Sequence, residues 1–119
     1  MAHRYALYLA PPADSELHRF ARSWLGRDAI TGEALPQPFV EGVAPDRQRE
    51  ITASPRRYGF HGTIKPPFRL APGRDGAALH EAARLFAAAW PAFALELEVR
   101  SLRGFLALML GTPSAELDA

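Results

Sequence analysis

The 119 residues carry 14 basic and 13 acidic side chains and are 48% apolar, which fits one globular domain and leaves little material for a second full core. With no cysteine, disulfide scaffolds, cysteine-based zinc sites and thiol nucleophiles are excluded, a composition that fits a reducing cytoplasm, and no apolar run approaches the ~20 residues of a membrane span. The net charge of +1 is unevenly placed: Arg47 to Arg74 holds seven basic residues and one acid, for +6, and the rest sums to −5, which disfavours a duplex nucleic-acid face and favours a small anionic ligand.

In chain order, residues 4–10 (RYALYLA) read as a strand stopped by Pro11-Pro12, not as a signal peptide. Asp14 or Ser15 caps a helix with Leu17, Phe20, Ala21 and Trp24 at helical spacing and Gly26 just past its end, and His18 falls on its outward side. Residues 27–45 hold Gly32, Pro36, Pro38, Gly42 and Pro45 and read as a long irregular loop of the kind that often covers a site. A short helix follows over 46–53, then a strand over 58–70 that spans Pro66-Pro67. A second long helix, about 75–90, places Leu79, Ala82, Ala83, Phe86 and Trp90 on one face and His80 on the polar one.

Residues 93–100 alternate, with Phe93, Leu95, Leu97 and Val99 inward and Glu96, Glu98 and Arg100 on a solvated side. Arg103-Gly104 turns the chain into GFLALML, apolar on both faces and expected to be a central strand. Thr112-Pro113 signals a helix start. This order predicts an α+β fold, a small mixed or antiparallel sheet with helices packed on one side.

The chemistry concentrates in Arg56-Arg57-Tyr58-Gly59-Phe60-His61-Gly62-Thr63-Ile64-Lys65. If extended, the segment sends Tyr58, Phe60 and Ile64 toward a core. His61, Thr63 and Lys65 then form a row on the other face, spaced by roughly 6.5–7 Å. An imidazole that titrates near neutrality, a hydroxyl and an ammonium in line suit a phosphate: His61 moves a proton, Thr63 holds a non-bridging oxygen, and Lys65 with Arg56, Arg57 and Arg69 balances charge. The bland alternative is a half-buried strand histidine bonded to a neighbour, because a lone H-x-T is a weak pattern. A metal site built from His3, His18, His61 and His80 lacks ligand spacing, so neither a metal nor a cofactor is expected.

Tyr58-Gly59-Phe60-His61-Gly62-Thr63-Ile64-Lys65-Pro66-Pro67-Phe68-Arg69-Leu70 resembles the first signature of the phosphonate-metabolism-associated branch of the 2H phosphoesterase superfamily. Arg4 to Pro12, Trp24 to Asp28 and Gly104 to Leu108 are also similar to its members. The resemblance implies a lobe of a two-lobed, metal-independent phosphoesterase acting on a cyclic phosphodiester, with His61 as acid/base, Thr63 as phosphate contact and Lys65 as electrostatic helper. Tyr58, Arg56, Arg57 and Arg69 join the substrate-binding set. Relatives carry a second H-x-T downstream and this sequence has none, which implies that residues 1–119 are the N-terminal lobe. The expected partner is a small phosphorylated ligand, with no membrane and no duplex nucleic acid. Two further readings stay open, a non-catalytic phosphate-binding or interaction module and a homodimer that presents two His61 rows.

Overall fold

A computed structural model describes residues 3–118. The chain forms two compact units, Met1–Pro72 and Gly73–Ala119. The first contains β1 (Tyr5–Leu9), α1 (Glu16–Leu25), α2 (Pro45–Ile51), α3 (Ala53–Tyr58) and β2 (Gly62–Phe68). The second contains α4 (Gly76–Ala88), β3 (Leu97–Leu102), β4 (Phe105–Leu110) and α5 (Ala115–Asp118). The α+β class holds. The expected single sheet is instead two antiparallel pairs, β1 with β2 and β3 with β4. Helix packing in the first unit is helix on helix, with α3 against both α1 and α2.

Local chemistry accounts for the ends of α1. Ser15 is extended and its Oγ accepts the His18 amide at 3.2 Å, so one of the first-turn donors finds a partner. Gly26 closes the helix at φ 76°, and its amide donates to the carbonyls of Arg22 and Ser23. Among the described residues the buried side chains of this unit are more polar than apolar: Ala21 and Leu25 are buried, and so are His18, Asp28, Gln48 and Thr52. Such groups are tolerable only when bonded. Thr52 meets that condition, because its hydroxyl lies 2.8 Å from the Gln48 carbonyl and also receives Gln37 Nε2 at 2.9 Å and Arg56 Nη2 at 2.9 Å. Gln37 Nε2 also reaches the Trp24 carbonyl at 2.8 Å, which ties the loop after α1 to the end of that helix.

Four local expectations change. Residues 58–70 are not one strand: Tyr58 ends α3, Gly59 turns the chain, and β2 begins only at Gly62. The helix expected over 46–53 is α2, Pro45–Ile51, and a further helix, α3, follows it with Pro55 in its first turn, where no intrahelical N–H bond is required. The strand expected from Phe93 begins at Leu97, whose partner Leu110 is the last residue of β4; the Gly111 amide then bonds the Glu96 carbonyl at 2.9 Å and closes the ladder. Finally, β4 is not central among the described residues: it pairs with β3 alone, and Phe105 and Leu106 are exposed.

The turn before β4 is as expected. Arg103 at φ 48° and Gly104 at φ 87° supply the two left-handed positions that a tight hairpin turn uses. In the same unit Asp75 caps α4 by accepting the Ala78 amide at 2.9 Å. Ser114, not Thr112, caps α5 through the Leu117 amide at 3.2 Å. Trp90 is about half exposed and does not form the core position read from its helical spacing. His80 is exposed, as its place on the polar face of α4 requires. Glu98 and Arg100 pair with each other on the outer side of β3.

Candidate functional site

The site begins with Gly59. It is buried and follows the last residue of α3 at φ 80° and ψ 177°, a conformation that side chains with a Cβ avoid. Its amide finishes the helix by donating to the Pro55 carbonyl at 2.9 Å. Its carbonyl turns back onto the following loop and accepts from His61 Nδ1 at 2.9 Å. A carbonyl oxygen only accepts, so in the neutral ring the proton sits on Nδ1 and the Nε2 lone pair is left available. The imidazole is half-buried and lies flat against the Tyr8 ring, with centroids 3.9 Å apart and planes 23° from parallel.

Strand pairing brings the hydroxyl alongside. Tyr8 sits opposite Thr63, and Leu9 opposite Gly62, so the Tyr8 and Thr63 side chains leave the same face of the ribbon. His61, stacked on Tyr8, shares that face. Thr63 is exposed. The structure therefore unites His61 and Thr63 and adds Tyr8, which sequence reading treated only as a strand residue. The signal for Tyr8 lay in antiparallel register, and two isolated strands do not reveal register.

Lys65 is not in the row expected from simple alternation. The register shifts between Leu7 and Tyr8, which pairs Lys65 with Leu7 and leaves Ile64 unpaired. Leu7 and Tyr8 point to opposite faces, so Lys65 leaves the ribbon on the face away from Thr63. Its contact agrees: Nζ lies 5.1 Å from the ring centre of Phe68, whose partner is Tyr5, two residues before Leu7. Pro66 and Pro67 lack the N–H groups that a regular ladder needs, which explains the second shift between Tyr5 and Leu7.

The arginines divide by task. Arg56 donates from Nε to the Leu25 carbonyl at 2.8 Å and from Nη2 to the Arg49 carbonyl at 2.6 Å, so its guanidinium closes the ends of α1 and α2. Burial, and secondarily the nearby Arg49, lower its pKa from the usual arginine range. It is engaged in the fold. Arg57 is exposed, with its guanidinium carbon 5.7 Å from the centre of the exposed Tyr58 ring. Arg69 is exposed beyond β2.

His18, expected in solvent, is buried against Asp28, with Nε2 3.6 Å from Oδ2. Arg22 Nη1 reaches the same oxygen at 3.2 Å. Asp28 Oδ1 accepts the amides of Ile30 at 2.8 Å and Thr31 at 3.2 Å. These two backbone donors, then Arg22 and His18, hold the carboxyl below its usual pKa against the opposing effect of burial. Among the described residues, no three His, Asp or Glu side chains converge as metal ligands, and no helix is long and apolar enough to cross a membrane.

Residues 63–119 match the model of a family described as a protein of unknown function, DUF1045. The chain is also 43% identical over 115 residues to a protein of Janthinobacterium sp. (strain Marseille) named ribose 1,5-bisphosphate phosphokinase PhnN, covering 96% of this chain and 25% of that protein. A protein of the same name from Laribacter hongkongensis (strain HLHK9) is 41% identical over 105 residues, covering 88% of this chain and 25% of its own length. The chain thus spans a quarter of the length of these relatives. No solved structure matches it.

Proposed function

We propose that this chain handles a small phosphorylated sugar in phosphonate metabolism, as a 2H phosphoesterase-like lobe acting on a cyclic phosphodiester. The observation that carries the reading is the state of His61: Nδ1 is tied to the Gly59 carbonyl, which leaves the Nε2 lone pair available, and the ring stacks on Tyr8, the cross-strand partner of Thr63. In the forward step Nε2 takes a proton from water or from a ribose hydroxyl as its oxygen attacks phosphorus. Thr63 donates to a non-bridging phosphoryl oxygen. Arg57, Tyr58 and Arg69, all exposed, supply the outer contacts, and Lys65 contributes long-range charge from the other face. The leaving oxygen needs a second proton donor, which in this reading comes from a second lobe or from a second copy of the chain.

The relatives' name supports a ribose phosphate as the ligand class. It does not carry a kinase onto this segment: the sequence contains no Gly-Lys pair and so no G-x-x-x-x-G-K-[ST] phosphate loop. The test is hydrolysis of ribose cyclic phosphates by the purified chain. His61→Ala lowers the rate by about 10²–10⁴-fold if the imidazole moves the proton. Equal rates for the two proteins refute the catalytic role. The presence of a single H-x-T motif favours a second reading, a phosphate-binding module, for which titration shows ligand binding that weakens in Arg57→Ala without turnover in either protein.

A further inference from the structure

The buried Asp28 cluster lies outside the proposed site, yet its contacts lead to it. Asp28 fastens the loop after α1 in two directions. Through Oδ1 it closes a turn on the Ile30 and Thr31 amides, and through Oδ2 it joins that turn to Arg22 and His18 of α1. Backbone bonds complete the loop: the Asp28 amide donates to the Glu33 carbonyl at 2.9 Å, and the Gly32 amide to the Asp28 carbonyl at 2.8 Å. A loop held this way is a rigid support and not a free connection.

That support bears on the residue that aims His61. Ala29 lies directly against Gly59, where an added Cβ would come 2.5 Å from the Ala29 methyl. Arg27, at the base of the loop, places Nη1 3.5 Å from the carbonyls of Arg56 and Arg57, the last turn of α3 before Gly59. A cavity of about 60 Å³ is lined by His18, Arg22, Arg27, Ala29, Gly59 and Phe60, so cluster, loop and turn surround one space. Gly59 in turn holds His61 Nδ1 by its carbonyl.

We propose that Asp28 is a positioning residue for His61: by anchoring the 27–34 loop to α1 it seats Ala29 against Gly59, which keeps the Gly59 carbonyl on Nδ1 and leaves Nε2 as the acting nitrogen. The proposal rests on His61 being the group that acts on the ligand. The geometric claim is nevertheless separable from turnover, because the proton's place on the ring can be read directly.

The experiment is nitrogen NMR of the His61 ring in the full chain, at a pH where the imidazole is neutral. The parent protein shows a single Nδ1–H form. Asp28→Asn keeps an acceptor for the Ile30 and Thr31 amides but loses the anion that Arg22 and His18 face, and Ala29→Gly removes the supporting methyl without touching the cluster. Both replace the Nδ1–H signature with averaged ring-nitrogen shifts, while the amide resonances of residues 73–118 stay in place. An unchanged His61 signature in both folded variants overturns the proposal. Should Asp28→Asn fail to fold, Ala29→Gly decides alone, since it alters an exposed residue. Averaged shifts in the variants together with no His61-dependent turnover in the parent would retain the positioning role and remove the catalytic reading. Intact signatures with His61-dependent turnover would do the reverse.

Discussion

Gly59→Ala isolates the turn that delivers His61. Two costs add. The first is backbone: φ 80° with ψ 177° lies in a region used almost only by glycine, and a Cβ there costs about 1–3 kcal/mol. The second is packing: the new methyl would come 2.5 Å from the Ala29 Cβ, far inside the ~3.5–4.0 Å of a favourable carbon contact. Relief by small shifts in a packed region costs about 1–3 kcal/mol more. The sum, about 2–6 kcal/mol, lowers the melting temperature by at least ~6 °C in a chain of this size. Gly73→Ala is the control, because it has positive φ of 81° but open space around the added Cβ, and it loses only about 1–2 kcal/mol.

Circular-dichroism melts of Gly59→Ala, Ala29→Gly and the double variant complete a mutant cycle. The double variant recovers the packing share, giving a coupling of about 1–3 kcal/mol. A coupling below ~0.5 kcal/mol, the ordinary scatter for independent sites, refutes the claim that Ala29 and Gly59 press on each other.

Four further outcomes follow from the same geometry. Tyr8→Ala removes the ring stacked on His61 and lowers cyclic-phosphate turnover, with a smaller effect on the melting temperature than Gly59→Ala; an unchanged rate separates Tyr8 from the site. Arg56→Met strips the carbonyls of Leu25 and Arg49 of a charged donor and costs about 1.5–3 kcal/mol in urea unfolding, whereas Arg57→Met leaves stability nearly unchanged and weakens ligand binding. Ser15→Ala costs about 1 kcal/mol through the lost cap of α1, read as a lower urea midpoint. The Asp28 carboxyl titrates below its ordinary value of 3.8 in the fold, so its stabilisation is present above that pH and is lost as pH falls through the folded value. Melting temperature therefore drops on acidification below about pH 4 in the parent and drops less in Asp28→Asn, and parallel curves refute the assignment.

Much of the local structure was legible because its causes are local. Ser15 and Gly26 bracket α1, Asp75 opens α4, and Arg103-Gly104 turns β3 into β4, each through chemistry within a few residues of the chain. His61 and Thr63 were legible as candidates from their spacing of two, but His61 lies just before β2, and its place on the Thr63 face comes from stacking on Tyr8. The place of Lys65 was not legible, because the register shift beside the two prolines depends on how β1 lies against β2. Helix α3 was not legible either: it follows α2 after Thr52 alone, carries Pro55 in its first turn, and packs on α1 and α2, which lie elsewhere in the chain or end just before it.

By itself the sequence determined the residue types that the proposed chemistry requires, an imidazole, a hydroxyl and a local excess of cations, together with caps and turns that end several elements. Only tertiary structure decided where those groups sit and what they touch. It stacked Tyr8 on His61, carried Lys65 to the opposite face, drew Arg56 into the fold and buried His18 against Asp28. The physical reason is range. Capping and turn preferences act over three or four residues, whereas ring stacking, strand register and buried ion pairing join groups that only the folded chain brings together.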